Sequence, residues 1–356
     1  MKTKHKCLVI FSDIDLAGYT GQPKVAMDYV KELRNANFPV TIFSNAQDMN
    51  KAVQYLEKDD ICIEGNGSLL TYFRALGKLL SSITTRRYSV VITHGALLTI
   101  FIMPFLFFKR TKIYFSLCEV LGFQNLFYKL LYSLLSRRAK GVIVTSNLIK
   151  SELSQIKIHQ EKIIVRMLGL DNKFCLNKKQ NEFQYDIMYF GDAKIDRGFQ
   201  YLEKLAIDFP NLTFLILIRW IEDQCQSQLE QLNGFDNVCV KYYPYTKDLK
   251  YFLDISKIVF LPFKFMGVRP PLSIIESMAA GKVVITSNMR GNEELITHGH
   301  NGFTFAMDSQ YSDVTKAIDL ILKDQNLAST IAKRARNSIL EAQKNQKSLC
   351  ASINIE

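Results

Sequence analysis

Short apolar runs alternate along this chain with amphipathic segments of helical period. In 123–138, apolar side chains recur at i, i+3, i+4, i+7, i+8, i+11 and i+12, which places them on one face of a helix. The segment 23–36 is amphipathic in the same way. Because the intervening runs are almost wholly apolar, they predict a parallel sheet with helices on both faces. These strands are predicted at 7–11, 39–43, 60–63, 89–93, 112–116, 141–145 and 163–167.

The alternation is interrupted at 171–184, a polar and unpatterned segment that we interpret as a linker. Beyond it, 312–345 is helical, and further strands are predicted at 185–190, 213–218, 237–241, 257–262 and 282–286. The predicted fold class is therefore α/β, with two doubly wound parallel-sheet domains in tandem. In such sheets, ligands bind at the carboxyl ends of the strands. The predicted borders are 1–170 for the first domain, 171–335 for the second, and 336–356 for a helical tail that crosses back to the first domain.

Composition narrows the class of protein. Apolar residues make up 48% of the 356 residues, an ordinary globular share, so the chain as a whole is not disordered. The seven cysteines are scattered and no pair has CxxC spacing, which argues against a disulfide framework and favours a cytoplasmic location. The longest apolar stretch, 96–108, is shorter than the roughly 20 residues of a membrane-spanning helix.

The net charge of +11 is concentrated in the first half of the chain. Within 74–140 there are 11 basic residues and one acidic residue, Glu119, beside apolar helical segments at 69–83 and 123–135. This pattern predicts that the first domain binds an anionic membrane surface peripherally. The alternative is that the apolar faces pack into the core and the bases are solvated. The basic half lacks nucleic-acid recognition motifs, so no nucleic-acid partner is expected.

Two loops that follow predicted strands contain glycines, which let a backbone approach a ligand closely. Gly18 and Gly21 precede a helix that starts near Pro23, and a helix N-terminus favours anions. Gly191 ends a later strand and is followed by Lys194 and Arg197, two cations suited to a diphosphate. The alternatives are a plain turn for the first loop and a solvated basic loop for the second.

Two further residues are candidates because of their positions. Glu276 lies near the start of a predicted helix, where its carboxylate can accept hydrogen bonds from two ribose hydroxyls or simply complement the helix dipole. His94 ends strand 89–93, where site residues of this fold class fall, although a lone histidine is more often structural. His298 and His300 have i, i+2 spacing with no third ligand nearby, so no metal site is predicted.

Three segments of the second half carry a family pattern. Residues 276–285 read ESMAAGKVVI, 291–296 read GNEELI and 299–302 read GHNG. They resemble the signature of glycosyltransferase family 4, which runs E-A-M-A-x-G-x-P-V-I, then G-x-x-E-x-I, then G-x-x-G. Gly169-Leu170-Asp171 resembles the family's segment at the domain junction, and 191–198 keeps the spacing of its GRLxxxKG loop. The resemblance covers about residues 8–345.

This resemblance implies the GT-B fold, in which two Rossmann-like domains face a cleft. It further implies retaining transfer of a sugar from a nucleotide-sugar donor to a glycan or lipid-linked acceptor at the cytosolic membrane face, without a metal or other cofactor. The C-terminal domain would hold the donor and the N-terminal domain the acceptor. By matching position, the catalytic residues would be His94, Arg197 and Glu276, and the donor-binding residues Gly18, Gly21, Gly191, Lys194, Arg197, Arg269, Leu272, Ser273 and Glu276.

The chain departs from the family pattern at two positions. The family usually has a glutamate eight residues before Glu276, and that position is Val268 here. The usual arginine after the first glycine of the 191–198 loop is Asp192. Lys194 and Arg269 are candidates for restoring the positive charge. These departures leave a second reading open, a degenerate GT-B scaffold that binds a nucleotide sugar, a glycan or a partner protein without transfer.

Overall fold

The structure is a computed structural model in which the contacts divide the chain into two units. The first unit is Met1–Gly169 with Gln346–Glu356, and the second is Leu170–Asn345. The described residues are 7–15, 21–46, 56–58, 60–64, 69–86, 88–94, 102–105, 111–118, 126–176, 182–242, 249–265, 270–306 and 311–355.

The first unit is built on a parallel sheet of seven strands. In space they follow the order β3-β2-β1-β4-β5-β6-β7. Strands β2 and β3 lie on one side of β1 and strands β4 to β7 on the other, so the switch point of this sheet is between β1 and β4. Each strand predicted for this unit is present, and these strands read as short apolar runs because helices cover both faces of a parallel sheet. Their bounds are β1 (Cys7–Asp15), β2 (Val40–Ala46), β3 (Ile61–Glu64), β4 (Val90–His94), β5 (Lys112–Leu117), β6 (Gly141–Val144) and β7 (Ile163–Val165).

Helices pack on this sheet through apolar residues spaced three or four apart. Leu79 and Ile83 join the core beneath β1 and β4, and Leu131 and Leu135 join the core beside β6. The helices in question are α1 (Gly21–Asn35), α2 (Leu69–Thr85), α3 (Leu126–Arg138) and α4 (Asn147–Gln155).

The second unit repeats the architecture with six parallel strands in the order β10-β9-β8-β11-β12-β13. The strands are β8 (Tyr185–Ala193), β9 (Phe214–Ile221), β10 (Val238–Tyr242), β11 (Ser256–Leu261), β12 (Val283–Ser287) and β13 (Phe303–Phe305). The last of these, a three-residue strand after the 298–302 turn, is missing from the prediction. The helices are α5 (Asn172–Cys175), α6 (Gln200–Asp208), α7 (Gln226–Asn233), α8 (Leu249–Asp254), α9 (Leu272–Ala279), α10 (Tyr311–Lys323) and α11 (Gln325–Asn345).

The segment 171–184 does not begin as a linker. The Asp171 carboxylate accepts a hydrogen bond from the Lys173 amide at 3.2 Å and so caps α5. Phe174 is buried, and α5 contacts α9. Within 171–176, the polar composition that suggested a linker therefore belongs to a capped helical turn with one apolar anchor.

The C-terminal tail packs on the first unit after α11 ends at Asn345. It contains α12 (Leu349–Ser352). The Tyr114 hydroxyl donates to the Ile353 carbonyl at 2.8 Å. Buried Arg166 pairs with Glu32 at 2.6 Å and donates to the Ser352 hydroxyl at 3.1 Å. Within the described ranges, no helix combines the length and the apolar character needed to cross a bilayer.

Candidate functional site

The loop after β8 lies at the topological switch point of the second sheet. β8 has β9 on one side and β11 on the other, which is where ligands of doubly wound sheets bind. Gly198 brings this loop against the chain that follows β11. Its φ is +69°, and a Cβ added there would lie 1.7 Å from the carbonyl oxygen of Pro262. Only glycine fits this position, and its close approach to Pro262 fixes the position of the preceding loop residues, including Arg197.

Arg197 is fixed by that packing. Its Nη1 donates to the carbonyl of Phe265 at 2.8 Å, and the guanidinium lies 6.0 Å from the ring centre of Phe263. The amides of Lys264 and Phe265 both donate to the carbonyl of Asp196 at 2.9 Å. Burial lowers the pKa of Arg197, but an arginine remains cationic at neutral pH. The result is a held positive charge at the carboxyl edge of the sheet.

The chain that anchors Arg197 leads into α9, whose N-terminus offers backbone donors. Pro271 caps this helix without a side-chain hydrogen bond, and its carbonyl accepts from the amides of Ile274 and Ile275. No acceptor for the amides of Leu272 and Ser273 lies in the described part of the chain. Amides at a helix N-terminus favour anions. Glu276 lies one turn further along α9 and is 8% exposed.

Asp192, where the resemblance expects an arginine, forms an ion pair. Arg219 donates to its two carboxylate oxygens, Nε to Oδ1 at 2.7 Å and Nη2 to Oδ2 at 2.8 Å. The Tyr189 hydroxyl donates to the Asp192 carbonyl at 2.6 Å. Sequence reasoning missed Arg219. The available signal was a single charged residue at the end of the otherwise apolar strand β9.

Lys194 contacts the strand next to its loop. Its ammonium lies 4.4 Å from the ring centre of Trp220, near the end of β9, and Trp220 is 51% exposed. The amide of Ile195 donates to the Glu222 carboxylate at 3.3 Å, which ties the same loop to the chain after β9. The predicted contact of Lys194 with a diphosphate stays a prediction.

Two of the predicted glycines lie within regular elements, and one predicted glycine and one predicted arginine lie outside the described residues. Gly191 does not end its strand, because β8 continues to Ala193 with a shift in register against β9. Gly21 is the first residue of α1. Gly18 and Arg269, and with Arg269 its neighbour Val268, lie outside the described residues.

His94 is the last residue of β4 in the first unit, beside the switch point of that sheet. It pairs in register with Phe11 and Ser116 and stacks on Tyr29, with 5.5 Å between ring centres. It is 3% exposed, and burial lowers its pKa to about 3. His94 is therefore a neutral imidazole at physiological pH, suited to a hydrogen bond rather than to a positive charge.

His298 has a structural contact. Its Nδ1 lies 2.9 Å from the carbonyl and 3.2 Å from the amide of Thr304, which ties the 298–302 turn to β13. Among the residues that the structure describes, no group of three or more histidine, cysteine, aspartate or glutamate side chains is placed to hold a metal ion.

Comparison with known families agrees with this architecture. Two Rossmann-like domains, each on a parallel sheet, are the fold of GT-B proteins. A model described as Glycosyltransferase Family 4 matches residues 19–173, and one described as Glycosyl transferases group 1 matches residues 189–338. The chain belongs to glycosyltransferase family 4.

Individual relatives are more distant. A curated relative from Campylobacter jejuni, named N,N'-diacetylbacillosaminyl-diphospho-undecaprenol alpha-1,3-N-acetylgalactosaminyltransferase, is 29% identical over 124 residues, which are 35% of this chain and 31% of that protein. Anabaena HepE in complex with UDP has a TM-score of 0.74 at 16% identity, covering 98% of this chain and 97% of that one. A Rickettsia africae glycosyltransferase has a TM-score of 0.76 at 17% identity, with 99% of both chains covered.

Proposed function

We propose that this protein transfers a sugar from a nucleotide-sugar donor to a glycan or lipid-linked acceptor, with retention of configuration and without a metal ion. One observation carries the proposal. Arg197 lies at the switch point of the second sheet. Its hydrogen bond to the Phe265 carbonyl holds it against the chain segment that leads into the N-terminus of α9. A fixed cation and helix amides are the groups that stabilise the charge growing on a departing nucleoside diphosphate.

Four residues of the donor site have proposed roles. Arg197 contacts the diphosphate, the amides of Leu272 and Ser273 donate to its oxygens, and Glu276 accepts hydrogen bonds from the ribose. The nucleotide sugar is a UDP-sugar in the first instance, because HepE is known in complex with UDP and with UDP-glucose. The Campylobacter relative is named for a diphospho-undecaprenol acceptor, which supports a lipid-linked acceptor here. The role of His94 at the donor sugar stays a prediction of the sequence.

Arg197→Ala and Glu276→Ala are each expected to weaken UDP binding by about 10- to 100-fold. Losing a hydrogen bond that involves a charged group costs about 1.5–3 kcal/mol, which corresponds to that range. Isothermal calorimetry with UDP measures the change. The matched controls are Arg334→Ala and Glu341→Ala on exposed positions of α11, which should bind UDP as the parent does. Equal affinity of all four variants would contradict the site.

Transfer itself is separable from binding. With a labelled UDP-sugar and a lipid-diphosphate acceptor, the product should keep the anomeric configuration of the donor and should form at the same rate in the presence of a chelator. Tight UDP binding without any transfer to lipid or glycan acceptors would favour the degenerate scaffold instead.

The first unit presents an apolar face that supports contact with a membrane. Leu131 and Leu135 of α3 are buried, but four other apolar residues of this helix are 55–70% exposed: Leu126, Phe127, Leu130 and Leu134. The face predicted for 123–138 is therefore split between core and surface. In α2, by contrast, Leu79 and Ile83 are buried and Leu76 packs against the core, as the alternative reading expected.

Basic residues accompany the exposed face of α3. Lys129, Arg137, Arg138 and Lys140 are all exposed. Arg137 follows Leu134 by three residues and so lies on the same side of the helix. Near an anionic leaflet each basic side chain contributes about 1 kcal/mol, and inserted leucine and phenylalanine side chains add to it. We propose that α3 rests on an anionic membrane surface.

Replacing Leu130 and Leu134 with serine is expected to reduce pelleting with vesicles of anionic lipid several-fold, because the inserted apolar area is lost. Replacing Arg137 and Arg138 with serine should lower pelleting at low salt and weaken its salt dependence. Ile207→Ser is the control, since Ile207 is 57% exposed in the second unit. Equal pelleting with neutral and anionic vesicles, or no pelleting with either, would contradict the membrane contact.

A further inference from the structure

Trp220 is an exposed indole beside the loop of the donor site. It is the only tryptophan of the chain, lies near the carboxyl end of β9 and is 51% exposed. An exposed tryptophan offers a large planar aromatic surface that a ligand can cover. Its position at the ligand-binding edge of the sheet, next to the switch point, makes a ligand of this site the natural occupant.

The contacts of the indole connect it to the phosphate-binding part of the loop. The ammonium of Lys194 lies 4.4 Å from the ring centre, within the range of a cation–π interaction. Lys194 and Arg197 belong to one tight turn, in which the amide of Arg197 donates to the carbonyl of Lys194 at 3.0 Å. The indole of Trp220 therefore contacts the same turn that carries the guanidinium of Arg197.

The preceding residue fixes this part of β9. Arg219 is held by the two oxygens of Asp192, at the place where the register between β8 and β9 shifts. The ammonium of Lys194 contacts the indole of the next residue, Trp220. Position 192 is an aspartate where the resemblance expects an arginine, and the neighbouring end of β9 carries the planar aromatic surface of Trp220.

We infer that Trp220 stacks on the nucleobase of the donor, and this inference rests on the proposed function. A nucleoside diphosphate places its base one ribose away from its phosphates, so a diphosphate on Arg197 brings the base to the neighbourhood of the same loop. Stacking of a base on an aromatic side chain is worth about 1–3 kcal/mol for each base. Trp220 then contributes to affinity for the nucleoside and not to affinity for the diphosphate alone.

The fluorescence of this single tryptophan reports the contact directly. UDP, GDP and ADP are titrated into the intact protein, with inorganic pyrophosphate as the probe that lacks a base. The nucleotides that bind in calorimetry are expected to quench the emission, whereas pyrophosphate leaves it unchanged. Trp220→Leu should weaken nucleotide binding by about 5- to 100-fold and leave pyrophosphate binding unaltered. Trp220→Phe, which keeps an aromatic ring, should retain most of the affinity.

The matched control is Tyr251→Leu. Tyr251 is likewise 51% exposed, but it lies near Tyr185 at the opposite edge of the same sheet, where β8 begins. This variant should bind nucleotides and pyrophosphate as the parent does. Nucleotide binding that neither quenches Trp220 nor weakens in Trp220→Leu would overturn the stacking and leave the donor site intact. Failure of every nucleotide to bind would overturn both.

Discussion

Gly198→Ala is expected to destabilise the second unit by about 3 kcal/mol or more and to weaken UDP binding at least tenfold. The residue has a φ of +69°, which costs an alanine about 1–2 kcal/mol. In addition, the new Cβ would lie 1.7 Å from the Pro262 carbonyl oxygen, a backbone atom that cannot rotate away. The loop would have to leave the strand end and take Arg197 from its contact with Phe265.

Gly299→Ala separates the two causes. Gly299 has a φ of +72° in the same unit, and apart from its two chain neighbours no described residue has an atom within 4 Å of the position of its Cβ. Its substitution should therefore cost only the conformational strain of about 1–2 kcal/mol and leave UDP binding unchanged. Urea unfolding followed by Trp220 fluorescence measures the stability of this unit, because Trp220 is the only tryptophan of the chain. If both variants lost the same unfolding free energy and the same UDP affinity, the close approach to Pro262 would not be what holds the loop.

Strand positions were predictable from sequence because hydrophobic patterning acts locally. A run such as 90–92, which reads VVI, is apolar at every position, which favours a strand covered on both faces of a parallel sheet. β13 escaped prediction because its three residues become a strand only by pairing with β12. The helix of α3 was predicted, but the side of it that meets the core is decided by the neighbouring β6 and α4, which periodicity does not reveal.

The site shows the same division between local and tertiary information. Arg197 and Glu276 stand out in sequence because they occupy defined positions in a loop and at a helix start. The pairing of Asp192 with Arg219 joins residues 27 apart, and only the parallel register of β8 and β9 brings them together. Trp220 was passed over for a related reason, since it lies two residues beyond the predicted strand 213–218 and its exposure beside the loop is known only from the structure.

Acidification from pH 7.5 to pH 5 is expected to destabilise the first unit by about 2 kcal/mol through His94 alone. Burial lowers the pKa of the folded imidazole to about 3, against 6.5 for an ordinary histidine. Between these values the unfolded chain binds a proton that the folded chain excludes, so stability is complete above pH 6.5 and falls as the pH decreases toward 3. At pH 5 the difference amounts to about 2 kcal/mol.

Hydrogen–deuterium exchange of peptides from β1 and β4, at pH 7.5 and pH 5 with correction for intrinsic rates, measures this loss in the first unit. His94→Phe keeps a ring against Tyr29 and removes the titrating group, so its stability should change less between the two pH values by the same 2 kcal/mol. His159→Gln, at an exposed position of the same unit, should retain the full loss. Because both variants still contain every other acidic and basic group, the difference between them isolates the cost of charging a histidine at the end of β4. If the parent and His94→Phe lost the same stability on acidification, His94 would bind its proton equally well in the folded and the unfolded protein. The folded protein would then carry a charged imidazole at the end of β4 at pH 5.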